Sequence, residues 1–213
     1  MERSSKSRSK TRIQREKTED ILSAALDVFS TYGFRGASIN RISETAGMST
    51  PSMLYYFKSK EDIHKELLNR TVLLWLGPLQ LMKDSGDPVE ELLGYVKRKL
   101  EISKEFPRES RLFANEILMG VPRAHVSIFE PLRTVFYAKV GLIESWIKDG
   151  KIADIDPYHL LYSIWATTQH YADFDAQIRE LSPEKMSGLF EDAEKFLIPM
   201  YETILRGTNT QPT

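Results

Sequence analysis

Residues 38–63 read SINRISETAGMSTPSMLYYFKSKEDI, and their punctuation decides the fold. Ser38 is placed to cap a short helix whose apolar residues, Ile39, Ile42 and Ala46, recur at helical spacing. Gly47 follows the last of them, where a left-handed backbone costs least. Ser49 then caps a second helix, with Pro51 in its first turn, where a missing N–H does no harm. Met53, Leu54 and Phe57 give that helix an apolar side. Ser59 caps a third, with Glu61 and Asp62 at its positive end.

Two short helices joined by such a turn match a helix-turn-helix, whose second helix enters the major groove of DNA. An ordinary helical corner shares that outline, so geometry alone leaves both readings open. The residue pattern of 33–63, GFRGASINRISETAGMSTPSMLYYFKSKEDI, separates them. It resembles the DNA-binding domain of the TetR family of bacterial repressors. Gly33-Phe34, Ala37-Ser38, Ile42, Ala46-Gly47, Ser49, Tyr56-Phe57 and Ser59-Lys60 fall at that family's spacing without a gap. Three positions depart from it: Met48 stands for the usual valine, Ser43 for alanine, and Leu54 where tyrosine is common.

The resemblance and the helix geometry assign roles on this head. Thr50, Pro51 and Ser52 lie at the end of the reading helix that enters the groove first, where short side chains allow close approach to base edges. Tyr55 and Tyr56 can reach phosphates with their hydroxyls; packing in the core is the other use of such rings. Lys60 offers a point charge to the DNA backbone, as does Ser38 together with the free amides of its helix start. Asn40 occupies a position from which some TetR-like proteins read bases.

Charge is placed to match. The chain has a net charge of −1, but residues 1–70 carry 13 Lys and Arg against 9 Asp and Glu, and the remainder carries 16 against 21. A basic front and an acidic body suit a protein that presents one end to a polyanion. Residues 1–17, MERSSKSRSKTRIQREK, hold 7 cations and 2 anions with almost nothing apolar, and are expected to form a flexible arm. Such an arm serves either as a phosphate or minor-groove contact or as a solubilising tail.

With 213 residues, 41% of them hydrophobic, the chain can bury a substantial core. It has no cysteine, so disulfides and thiolate metal sites are excluded and a cytoplasmic location is compatible. No apolar run approaches the roughly 18 residues of a membrane span, and the polar N-terminus has no secretory h-region. The four histidines, His64, His125, His159 and His170, are scattered, and no phosphate loop or nucleophile elbow is present. Neither an enzyme nor a cofactor is expected.

The expected architecture is all-α. A first helix runs from about Thr18 to Tyr32, with Ile21, Ala24, Ala25, Val28 and Phe29 as its apolar stripe and Gly33 as its stop. The arm (1–17) precedes a three-helix helix-turn-helix domain (18–63), and a helical effector-binding and dimerisation domain follows (64–207). In TetR-like proteins the helix opening at Ser59 is the lever between the two domains; here Gly77-Pro78 is its expected break. Asp87-Pro88, Pro107, Asp156-Pro157 and Ser182-Pro183 open helices reaching about Phe106, Gly120, Leu181 and Arg206. Another spans about His125 to Asp149, and the tail GTNTQPT is expected to fray.

Within the body, Trp165 and Gln169 stand four apart on one helix face. An indole beside an amide suits a small planar ligand with adjacent C=O and N–H groups. Lys97 can supply a donor, and Trp75, Leu79 and Phe113 can close the walls. Plain core packing explains the same spacing. Residues 98–113 (RKLEISKEFPRESRLF) and 165–174 (WATTQHYADF) resemble the pyrimidine-utilisation regulators of the TetR family, whose effectors are uracil and thymine. That resemblance implies Trp165, Gln169 and Lys97 in the effector site; Ala114-Asn115 and the segment 121–135 depart from its pattern.

In the last helices Leu189, Ala193, Phe196, Leu197, Met200 and Ile204 form an apolar face. It can close the monomer's own core or, as the family implies, pair the last two helices with a symmetry mate. Such a homodimer would set two reading helices on a palindromic double-stranded operator. The expected function is a DNA-binding transcriptional regulator, a repressor by family, controlled by a small planar effector such as uracil or thymine. The alternatives are control by another small ligand or by a protein partner.

Overall fold

The computed structural model describes residues 2–121 and 126–207, and among these it is built of ten α-helices and one 3-10 turn, with no strand. His125 and the tail beyond Gly207 lie outside the described residues. The chain divides into two compact units. One holds residues 2–70 with 111–121, and the other holds 71–110 with 126–207. The division cuts helix α4 (Lys60–Gln80) and helix α6 (Pro107–Leu118); the sequence reading set the boundary between the DNA-binding and effector domains at 63/64.

The N-terminal unit is built on helix α1 (Glu2–Gly36). Its helical geometry breaks at Gly33 (φ 65°, ψ 174°), at the residue expected to stop it. At its other end the structure departs from expectation, because residues 2–17 continue the helix instead of forming an irregular arm. No proline or glycine interrupts them, and local pairs support the helix. Arg12 donates to Glu16 at 3.0 Å, Lys17 to Asp20 at 3.2 Å, and Thr18 Oγ1 to the Gln14 carbonyl at 2.9 Å. Residues 12–17 are all exposed, so this segment is helical without being packed.

Helix α2 (Ile39–Thr45) starts at Ser38, whose side chain accepts from the Arg41 N–H. Helix α3 (Thr50–Tyr56) starts at Ser49, which accepts from the Ser52 N–H, and carries Pro51 in its first turn. Between them Gly47 has φ 63°. Ser59 Oγ accepts from the Asp62 N–H at the start of α4. The core of the unit is Ile21, Ala25, Val28 and Phe29 of α1 with Ile42, Met53, Ile63 and Leu68. His64 is buried edge-on to both Phe29 and Phe34, with ring centroids 4.9 Å away in each case.

In the C-terminal unit, helix α5 (Pro88–Glu105) begins at Asp87, which accepts from the Glu90 N–H. It packs against helix α8 (Pro157–Asp173) and helix α10 (Leu189–Arg206). Helix α7 (Val126–Lys148) adds Phe136, Val140, Ile143 and Trp146 to the same core. Pro78 stays inside α4, which runs two residues beyond the expected break at 77–78, to Gln80.

Two expected helices are shorter than the sequence indicated. The helix opened by Pro157 stops at Phe174 (φ −117°, ψ 27°), and helix α9 (Asp175–Leu181) starts anew. Pro183 opens only a 3-10 turn, Pro183–Lys185; Gly188, at φ 86°, resets the chain before α10. The apolar face foreseen on the last helix also splits. Ala193 and Leu197, joined by Tyr201 and Leu205, are buried in the unit's own core, while Phe196 and Ile204 are 64% and 40% exposed.

Gly47→Ala tests the turn. A Cβ there meets nothing within 4 Å, so the cost is backbone strain alone, about 1 kcal/mol. Urea denaturation is expected to show that loss, and no loss would mean the turn relaxes out of the left-handed region.

Candidate DNA-reading and effector sites

The residues expected to meet DNA all belong to the N-terminal unit. Ser38, Asn40, Pro51, Ser52 and Tyr55 are exposed, Tyr55 at 78%. Tyr56 is partly buried, with its ring edge-on to that of Tyr55 at 5.3 Å. Thr50 is partly buried, and its hydroxyl works inside the head. It donates to Asn40 Oδ1 at 3.1 Å and lies 2.9 Å from the hydroxyl of Ser43. Ser43 is itself buried and donates to the Asn40 carbonyl at 2.8 Å. The serine that stands for a family alanine therefore ties α2 to the first turn of α3. The Thr50 hydroxyl, by donating to Asn40 Oδ1, holds the Asn40 amide in one orientation.

Lys60 has a similar inward task. Its ammonium donates to the carbonyls of Phe34 and Ala37, at 3.0 Å each, and sits 4.4 Å from the Phe34 ring centroid. These carbonyls lie where the chain turns from α1 into α2, so two of the three ammonium donors are used in holding the head together. Lys60→Ala is expected to lower the unfolding free energy by about 1.5 kcal/mol in urea titration. Unchanged stability would return Lys60 to a purely DNA-facing role.

The residues expected around an effector divide between the units. Phe113 lies in the N-terminal unit; Trp75, Leu79, Lys97, Trp165 and Gln169 lie in the C-terminal one. Trp75 and Leu79 are buried at 7% and 1% exposure, and Trp165 and Gln169 are partly buried one turn apart on α8. Trp165 Nε1 donates to the hydroxyl of Tyr95 at 2.6 Å. Tyr95 is a buried α5 residue that the sequence reading passed over. Burial pushes its phenol above the ordinary range, so it stays neutral and can pass a hydrogen bond onward.

Lys97 does not join this group. It is exposed and paired with Glu194 at 3.4 Å. The buried lysine is Lys99, with 2% exposure. Its ammonium lies 4.5 Å from the Trp75 ring centroid. The pattern on α5 could have found it. Leu92, Tyr95, Val96, Lys99, Leu100 and Ser103 recur at three and four, so Lys99 falls in the middle of the apolar stripe while Lys97 falls on its far side. Burial lowers the Lys99 amine to about 7, and the Asp173 carboxylate opposes that shift. Asp173 accepts in turn from the buried hydroxyl of Ser110 at 2.5 Å.

A lysine depressed from 10.5 to about 7 gives a signed prediction. Above pH 7 the unfolded chain binds the extra proton, so this group adds stability as pH rises from about 7 towards 10.5 and adds none below 7. Lys99→Met is expected to remove that slope and to raise the melting temperature at pH 6–7. The same slope in wild type and variant would show that Lys99 is not a buried, neutralised amine.

Similarity to known proteins agrees with this layout. Residues 21–67 match the family model of bacterial regulatory proteins of the tetR family, and residues 68–209 match that of the YcdC-like protein C-terminal region. The HTH-type transcriptional regulator RutR of Escherichia coli is 41% identical over 173 residues, covering 81% of this chain and 82% of RutR. The HTH-type transcriptional repressor NicS of Pseudomonas putida is 30% identical over 140 residues, covering 65% of each. The fold is shared with a transcriptional regulator from Streptomyces coelicolor. That match has a TM-score of 0.69 at 21% identity and covers 89% of this chain and 98% of the other. It is shared too with the fatty acid degradation regulator FadR from Bacillus halodurans, at TM-score 0.65 and 16% identity, covering 91% and 96%. The chain belongs to the TetR family of bacterial transcriptional regulators, with an N-terminal helix-turn-helix that binds DNA.

Proposed function

We propose that the protein is a repressor whose hold on a palindromic operator is released by a small planar effector, with uracil and thymine as the first candidates. One observation carries the effector half of this reading. Trp165 and Gln169 share a partly buried face of α8, with Trp165 anchored to the Tyr95 hydroxyl at 2.6 Å. The anchored indole is a fixed plate, and the Gln169 amide one turn on offers one donor edge and one acceptor. A ring with adjacent C=O and N–H groups satisfies both. Trp75 and Leu79 supply apolar wall. Lys99 takes the place first given to Lys97, because only Lys99 is buried.

On the head, Pro51, Ser52 and Tyr55 form the outward face of α3, with Ser38 and Asn40 beside them on α2. Thr50 and Lys60 act by fixing this face, with Tyr56 between the two roles. A homodimer is proposed through α8 and α10, where Phe196 and Ile204 leave apolar surface exposed after the core is closed. A twofold pair would present two reading helices about one DNA turn, roughly 34 Å, apart. The effector must prefer one spacing of the heads over the other, since equal affinity would shift nothing. The cytoplasm is the compartment proposed for this work.

The first test is the melting temperature with and without uracil or thymine. At 100 times Kd a ligand adds about 2.7 kcal/mol of stability. A rise with either pyrimidine, together with release of the protein from its own upstream DNA in a band shift, is the expected result. A rise without release would make the site real and the switch wrong. No rise with any ring would favour control by a protein partner.

A further inference from the structure

Three buried side-chain nitrogens among the described residues lack a hydrogen-bond partner: Trp75 Nε1, Arg98 Nε and Arg98 Nη2. All three are donors. A buried donor without a partner costs about 1–3 kcal/mol, so a fold keeps one only where something else satisfies it. Trp75 is 93% buried, counted from its 7% exposure, and its ring lies 4.5 Å from the Lys99 ammonium. Tyr95 stands one turn from Lys99 on the same face of α5 and feels the charge of Arg98. Its hydroxyl, having accepted from Trp165, still has a proton to give.

The charges lean the same way. Arg98 brings a fixed charge to this stretch of α5, and the buried Lys99 amine holds its proton weakly until an anion stands beside it. The carboxylate that acts on Lys99 is Asp173, one of whose oxygens is already taken by Ser110. A neutral ring such as uracil brings about as many N–H groups as it can use here and no compensating charge. An ionised ring brings acceptors and charge together.

Resting on the pyrimidine reading of this site, we propose that the effector is an acidic pyrimidine, negatively charged at neutral pH, whose oxygens accept from Lys99 and Trp75 while Trp165 and Gln169 hold the ring. Barbiturate and orotate are probes of this class. Each keeps the ring of uracil and adds an oxygen-bearing acidic function.

Isothermal titration of the intact protein at pH 7 with uracil, barbiturate and orotate tests this. At least one of the two anions is expected to bind about tenfold or more tighter than uracil. Lys99→Met is expected to abolish that preference, and Trp75→Phe, which keeps an aromatic ring and removes the N–H, to weaken the anion several-fold. Circular dichroism confirms that each variant is folded, and the ligand comparison in wild type stands whether or not they are. Uracil binding as tightly as both anions would overturn the inference and leave the pyrimidine reading intact. Failure of all three rings to bind would overturn both. A preference that survives Lys99→Met would remove Lys99 as its source.

Discussion

Helix α5 is the member on which the C-terminal unit depends. It is packed against α8 and α10 at once, and its buried stripe of Leu92, Val96 and Leu100 is the middle of that core. A helix enclosed in this way has no solvent route for a polar group on its inner face. Lys99 stands there nonetheless, and Tyr95 beside it. Each must find its partner inside the protein. Tyr95 finds Trp165, and Lys99 finds the face of Trp75 and the field of Asp173. The polar cluster is thus a product of packing, and the cost of burying an amine explains why its proton is held weakly.

The N-terminal head solves a different problem with similar means. Its helices α2 and α3 have seven residues each, too short to be stable alone. Side chains tie their ends together: Ser38 and Ser49 cap the starts, Thr50 bridges to Asn40 and Ser43, and Lys60 holds the carbonyls of Phe34 and Ala37. Polar residues that a sequence reading sends toward DNA are therefore partly occupied within the head. The fixed positions of Asn40 and Ser52 follow from that occupation. A reading surface needs this rigidity, because base recognition depends on donors held within a few tenths of an ångström.

Much of the fold was legible because it is written in local chemistry. Serine and aspartate caps, prolines in first turns and Gly33 and Gly47 at positive φ act within a few residues, so their consequences can be read in order. The breaks at Phe174 and after Lys185 were not legible. Nothing between Asp173 and Asp175 forbids a helix, and the interruption comes where Asp173 is drawn to Ser110, 63 residues away in sequence. The helical state of residues 12–17 was missed for the opposite reason: weak local pairs suffice to wind exposed residues that join no core.

The sequence by itself determined the all-helical class, the order of the elements and the basic head, since caps, periodicity and charge are properties of neighbouring residues. It also determined that a tryptophan and a glutamine share one face of α8. Only the tertiary structure decided which lysine is buried. Lys97 and Lys99 are the same residue type two positions apart, and the choice between them depends on which side of α5 meets the other helices. It decided as well that Tyr95 receives the Trp165 N–H and that Thr50 and Lys60 turn inward. Desolvation and hydrogen-bond distance belong to residues brought together from far along the chain, and no local pattern carries them.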